Sequence, residues 1–430
     1  MPHGRDGRPS TSRHRGSQSA HKREISRTRV RLAGHEVALW QLRRAAGDYR
    51  ALVEKAKVTD GCAWCLCTDP SPRLVIRHRE GIYYLACWPG GGQTHVRSCE
   101  FYNTGGRWSG RSHYQPGALQ EDDDGSASVS LSLPLRVRAT NPAAAAGATG
   151  RGPGAARSRM GLLGLLHYLW ERADLTRSAP QNGTGTGRRG WAAASPLLRS
   201  AIIGVTSAGL PLSWCCYVVP PFDPAHPEQH NGTFARFTGR LVERNGTAQR
   251  GLVLGAVRSW SPTPYGQRCD LRHHRTPIFF STALHERIRR AAPSAMTDRR
   301  PAGSEQVVLA LVARSEKGNL SAVGAAVMLT NADLVPADST HEVVMADALT
   351  AARRAFVKPL RYDGDAAVLP DFVLTDTDPT TMVEVWGMLD RDDYTARKQT
   401  KVEHYRSTNT PLIEWDVRGP LPDLRRHLAN

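Results

Sequence analysis

The chain has 430 residues, enough for two or three domains rather than one core. Its 57 Lys and Arg against 40 Asp and Glu leave a net charge of +17, which suits an anionic partner, nucleic acid before a membrane surface. No apolar run reaches the ~18 residues of a membrane span, and the N-terminus lacks the apolar centre of a signal peptide, so the expected location is cytoplasmic with the cysteines reduced or metal-bound.

Residues 1–33 are rich in Arg, Ser, Gly and His and nearly free of apolar side chains. Such a segment cannot bury a core and reads as a disordered basic tail, able to hold phosphates or simply to solubilise. From about His35 to Lys57 the spacing of Val37, Leu39, Leu42, Ala46, Tyr49 and Leu52 suits an amphipathic helix.

Cys62, Cys65 and Cys67 come next, then Cys87, His95 and Cys99, with hairpin-like apolar runs between them. Zinc takes four soft or borderline ligands in a tetrahedron, and a short step between cysteines supplies two from one turn. Cys65, Cys67, His95 and Cys99 form the natural structural zinc quartet. Cys62 can replace either of the first two, and Cys87 sits in a strand-like run where a buried thiol is ordinary. Reduced core cysteines are the alternative. Residues 34–118 thus read as a helix plus a small zinc-binding hairpin module.

Residues 119–158 begin acidic, pass through a Ser-rich strand-like stretch and end in a Gly/Ala-rich run, together read as a linker. Over 159–330 an apolar helix begins near Met160, a second covers Trp191 to Ile203, and strands follow at Trp214–Val219, Phe234–Val242, Gly251–Trp260, Val307–Ala313 and Ala322–Leu329. Turns at Asn245-Gly246 and Lys317 to Asn319 separate several of them. The expectation is an α+β middle domain without a catalytic constellation.

In 331–430 a helix capped by Asp338 or Ser339 carries Glu342. Asp371 follows Pro370 at one apolar strand, and Glu384 lies inside the next, Met382 to Trp386. A polar turn joins the two strands, and a helix then leads to a last apolar strand, Leu412 to Trp415. Acids inside apolar strands are costly unless paired or bound to a cation.

That order, with its Pro-Asp…Glu pairing, resembles the PD-(D/E)xK nuclease superfamily. The resemblance implies a restriction-endonuclease-like α/β core in a multidomain α+β chain. It further implies Mg²⁺ held by Asp371 and Glu384, with Glu342 as the upstream helical acid. The family's lysine, two residues after the Glu, is here Trp386. Some members supply it from the next helix, where Lys398 is the first candidate and Lys401 the second. Over its full length the chain also resembles an uncharacterised bacterial family carried on plasmids and integrative conjugative elements. The residues that carry this second resemblance include Cys65, Cys67, His95, Cys99, Leu165 to Trp170 and Phe356 to Arg361. The expected function is a Mg²⁺-dependent DNA endonuclease or nickase; the alternative is an inactive nucleic-acid-binding accessory protein of a mobile element.

Overall fold

The structure is a computed structural model in which residues 28–45, 47–79, 82–88, 91–96, 99, 101–102, 109–115, 117–122, 125–138, 158–178, 190–363, 369–387 and 392–425 are described. The basic tail, up to residue 27, and the Gly/Ala-rich run over 139–157 lie outside them.

Arg29–Leu32 is already a strand, so the tail gives way to structure sooner than composition suggested. It pairs with His35–Ala38 across a turn at Ala33 and Gly34, whose φ angles are 46° and 82°. That backbone costs glycine nothing, and it overrides the helical reading of the next residues. In place of one helix from His35 to Lys57 there are the strand His35–Ala38 and two helices, Leu39–Arg44 and Arg50–Thr59. Ala63–Cys65 and the hairpin Arg73–Arg79/Ile82–Cys87 complete a five-stranded sheet.

The largest core spans the middle of the chain. Leu165, Leu166, Leu169 and Trp170 on the helix Leu162–Arg172 are fully buried in it, where truncation of one leucine costs about 2–5 kcal/mol. The frame of this region is a ring of five strands. Gly251–Thr263 pairs antiparallel with both Gly266–Leu271 and Glu305–Arg314. Gly266–Leu271 pairs antiparallel with Ile278–Ser281, which runs parallel to Leu320–Thr330. Leu320–Thr330 returns antiparallel to Glu305–Arg314 and closes a barrel. Thr282–Ala291, an amphipathic helix, connects the third strand to the fourth.

Two expected strands differ. The first half of the expected strand Phe234–Val242 belongs instead to the helix Pro227–Thr238, started by a proline in its first turn, and the rest is irregular. Phe234 and Phe237, three apart on one face, pack their rings 5.2 and 5.5 Å from that of Tyr217, a contact that helical spacing allows and a strand does not. Trp214–Val219 is split between a helical turn, Leu212–Cys215, and the strand Cys216–Val218.

The first half of the stretch read as a linker is woven into the middle domain. Leu119–Glu121 pairs with Ala127–Val129, which runs parallel to Val205–Ser207. Arg136–Arg138 joins Thr247–Gln249, and that strand pairs with Glu243–Arg244.

The C-terminal sheet has the order Leu412–Asp416, Thr381–Trp386, Phe372–Leu374, Phe356–Val357, Arg177–Ser178. Its edge strand comes from the middle region, so pairing crosses the expected boundary at 330/331. Phe372–Leu374 and Thr381–Trp386 are antiparallel. Thr381–Trp386 and Leu412–Asp416 are parallel, joined by the helix Asp392–Ser407 as a crossover. Overall the chain is a mixed α/β protein of several sheets. Among the described residues no helix is long and apolar enough to cross a membrane.

Candidate functional site

The N-terminal sheet gathers a cysteine–histidine quartet. Cys65 closes the strand Ala63–Cys65, and Cys67 opens the bend that follows it; His95 comes directly after the short helical turn Gly91–Thr94. The ligand atoms of Cys65, Cys67, His95 and Cys99 all lie within 4.8 Å of one another. Cys65 Sγ is 3.5 Å from Cys99 Sγ, and His95 Nδ1 is 3.4 Å from Cys67 Sγ and 3.5 Å from Cys99 Sγ. Ligands ~2.3 Å from a tetrahedral centre stand ~3.7 Å apart, so the spacing fits an ion such as Zn²⁺. The Phe101 N–H donates to Cys99 Sγ at 3.4 Å, a contact that favours thiolate. The hydrogen bond with Cys65 draws the Cys99 thiol down to about 4 and raises Cys65 in exchange. Cys62 is buried but outside the quartet, and Cys87 donates to the Trp88 carbonyl at 3.3 Å.

The C-terminal sheet gathers acids and bases. Extending the pairing Phe372↔Val383 by one step sets Asp371 opposite Glu384. Asp371 Oδ2 accepts from the Val385 N–H at 2.8 Å, which fixes its carboxylate against the neighbouring strand. Glu384 is wholly buried. Lys401 Nζ donates to both its oxygens, at 3.0 and 2.9 Å, and to the Leu369 carbonyl at 2.7 Å. The Tyr405 hydroxyl donates to Glu384 Oε1 at 2.7 Å. Lys401 and Tyr405 are four apart on the crossover helix, and both therefore reach the same carboxylate.

Glu342 approaches from the helix Thr340–Ala351. Ser339 caps that helix by accepting from the Glu342 N–H at 3.1 Å, while Glu342 Oε2 accepts from the Asp338 N–H at 3.0 Å. This reciprocal capping pins the Glu342 side chain. Lys358, only 1% exposed, places Nζ 2.9 Å from Glu342 and 3.0 Å from Asp338. Arg361 links the two halves, 3.3 Å from Asp338 and 3.4 Å from Asp371.

Burial pushes both Glu342 and Glu384 up to about 7, and the neighbouring Asp371 charge adds to each. Desolvation works against ionisation of Asp338, but Lys358 and Arg361 outweigh it and hold that carboxyl below its ordinary range. Four carboxylates thus face three cations. Each carboxylate has a lysine or arginine beside it. His167 sits against this cluster: burial lowers it to about 4, and its Nδ1 accepts from the Tyr362 N–H at 3.0 Å.

A family model described as a protein of unknown function (DUF1173) matches residues 36–417. The chain belongs to the DUF1173 family. No curated protein and no solved structure matches it. In this DUF1173 chain the expected site residues fall into two groups. Cys65, Cys67, His95 and Cys99 come together as one set, and Asp371, Glu384, Lys401 and Glu342 as another. Lys398 does not join them. Its Nζ lies 3.6 Å from Glu414 and 5.1 Å from the centre of the Trp386 ring, and the Trp386 indole N–H donates to the same Glu414 at 2.9 Å. Trp386 thus diverts Lys398 outward and leaves Lys401 facing Glu384. Sequence reasoning missed the cluster roles of Lys358, Arg361 and Asp338. The available signal was a lysine inside the apolar run from Phe356 to Leu360, a position that burial makes expensive without two acids nearby.

Proposed function

We propose that this protein is a Mg²⁺-dependent DNA endonuclease or nickase that hydrolyses a phosphodiester with metal-activated water. The observation that carries the reading is Lys401 on Glu384, with Asp371 opposite. It supplies a lysine beside the paired acids although Trp386 holds the usual position. The order of elements supports it too: the helix with Glu342, three antiparallel strands, the crossover helix and a parallel strand. Resemblance to the plasmid- and element-borne family adds a mobile-element setting.

The acids suit a hard divalent ion in kind, since carboxylate oxygens are its preferred donors. Asp371 and Glu384 would hold it, and when bound it would supply a water of lowered pKa and offset charge on the phosphate. Lys401, fixed by the Leu369 carbonyl, would orient the nucleophile and stabilise developing negative charge. Lys358 and Arg361 hold Glu342, Asp338 and Asp371 in place around it.

One observation favours the second reading, a nucleic-acid-binding protein without cleavage. Lys401 and Tyr405 already fill the hydrogen-bonding positions of Glu384, and Arg361 leans on Asp371. Plasmid DNA incubated with Mg²⁺ or Mn²⁺ separates the two. Nicked or linear product is expected from the wild type, with at least a ~10²-fold loss in Asp371→Asn and Glu384→Gln. Undiminished cleavage by both variants would sink the site, and salt-sensitive binding without cleavage by the wild type would select the second reading.

A further inference from the structure

The middle domain carries a groove that the proposed cleavage site does not use. Its floor is one face of the small sheet formed by Arg136–Arg138, Thr247–Gln249 and Glu243–Arg244. In the register, Thr247 stands between Arg138 and Arg244, and Gln249 stands opposite Arg136. Side chains opposite one another, or two apart on a strand, share a face, so these five point to the same side. Trp214 and Arg240 form the wall, and the cavity has a volume of about 620 Å³. Four arginines therefore converge on it, and no carboxylate lines it.

Among the described residues none of the four is in an ion pair. Arg240 is set in place by donating to the Trp214 carbonyl at 2.7 Å, with its guanidinium 5.1 Å from the indole centre. Arg136 is steadied by Gln249 Oε1 at 3.2 Å. Arg138 and Arg244 are exposed. Arginines held apart from acids and steadied by neutral partners keep their charge for an external anion. Arg136 and Arg138 stand ~7 Å apart along their strand, comparable with neighbouring phosphates on an extended nucleic-acid strand.

The setting agrees. A closed ring of five strands in the order first, second, third, fifth, fourth, parallel only between third and fifth, with a helix between third and fourth, has the topology of an OB-fold. Such barrels bind oligonucleotides, in part through the loop between their last two strands. Here that loop, 315–319, leaves the barrel two residues beyond Val312, which pairs with Gly251. The groove strand Thr247–Gln249 enters at this same end.

We propose that this arginine groove binds the sugar–phosphate backbone of single-stranded nucleic acid. A cavity of this volume takes a segment of one strand and is far too small for a duplex. The proposal rests on the nucleic-acid part of the reading above and not on cleavage.

The test is fluorescence anisotropy with a labelled single-stranded oligonucleotide, without divalent ions, in full-length protein carrying Asp371→Asn. Adding Arg138→Gln and Arg244→Gln should weaken binding about tenfold at physiological salt and flatten the plot of log K against log salt by about 1.4, ~0.7 for each phosphate no longer neutralised. Both arginines are exposed, so folding is kept, and an unchanged thermal transition checks it. An unchanged slope overturns the proposal. So does equal weakening of the matching duplex, or inorganic polyphosphate competing as well as the oligonucleotide, phosphate for phosphate. A wild type that fails to cleave leaves this result standing, so the two readings fail separately.

Discussion

Two clusters of ionisable side chains, one near each end of the chain, handle burial in opposite ways. The quartet of Cys65, Cys67, His95 and Cys99 has four ligand atoms and no lysine or arginine among them. The C-terminal cluster sets Lys358, Arg361 and Lys401 against four carboxylates. The first can bring its thiolates together only if a cation arrives from outside. The second is largely neutralised by its own chain, and an arriving ion has little left to offset. The contrast is between a thiol and imidazole set that could hold a metal such as zinc and a carboxylate set already held by the chain's own lysines and arginine.

The largest effect expected from this contrast is chelation. Structural zinc in small sites contributes on the order of 10–16 kcal/mol of apparent binding free energy at neutral pH, and here Cys65 and Cys99 belong to the core of the five-stranded N-terminal sheet, with Cys67 packed against it. Purified protein should contain one zinc per chain. A strong chelator, or Cys99→Ser, should make the segment from Arg29 to Tyr102 sensitive to protease while the C-terminal sheet stays protected. Metal-free protein with that segment still protected would break the comparison.

The next effect comes from removing a cation that the chain supplies. Lys358→Met leaves Glu342 buried without its partner, and Asp338 with Arg361 alone. Breaking one side of a buried pair costs about 3–5 kcal/mol, read as a lower urea midpoint at pH 8. The loss should shrink near pH 5, because Glu342, already raised to about 7 by burial, takes up a proton and no longer needs the lysine. A loss below about 1 kcal/mol at pH 8 would mean that the acids find their cation elsewhere.

How far these clusters could be read from the sequence follows from how local their signals are. The quartet was legible because its steps, Cys65 to Cys67 and His95 to Cys99, are short and flank a hairpin. The pair Asp371 and Glu384 was legible because an acid in an apolar strand is conspicuous. The barrel strands from Gly251 onward were visible in their apolar runs, but their closure into a ring was not, since pairing Gly251 with Val312 is a long-range event that leaves no local mark. The strand Arg136–Arg138 was hidden for the same reason: its partners lie over a hundred residues away, and only composition spoke for the stretch around it. The helix Pro227–Thr238 reads as a strand from its aromatic and apolar content, although Phe234 and Phe237 stand a helical step apart, and their joint contact with Tyr217 marks the helix.

The smallest stability effect tests the finest distinction, between two lysines three residues apart on one helix. Lys398 pairs with Glu414 at 3.6 Å, the side chains being 27% and 39% exposed. Water screens such a pair, and Lys398→Met should change stability by no more than about 0.5 kcal/mol and leave cleavage at the wild-type rate. Lys401 is 12% exposed and holds a fully buried carboxylate. Lys401→Met should reduce cleavage by a factor on the order of 10²–10³, the range for losing one positioned charge in an active site. The two variants are compared as rates per folded molecule, so that the extra instability of Lys401→Met does not pass for lost chemistry. Both residues lie near the Trp386 ring, at 5.1 and 6.0 Å, so proximity to Trp386 alone does not distinguish them; contact with Glu384 does. If Lys398→Met were the variant that lost activity, the helix would have to turn on binding DNA, and the acid pair would be served by a lysine that now faces Glu414.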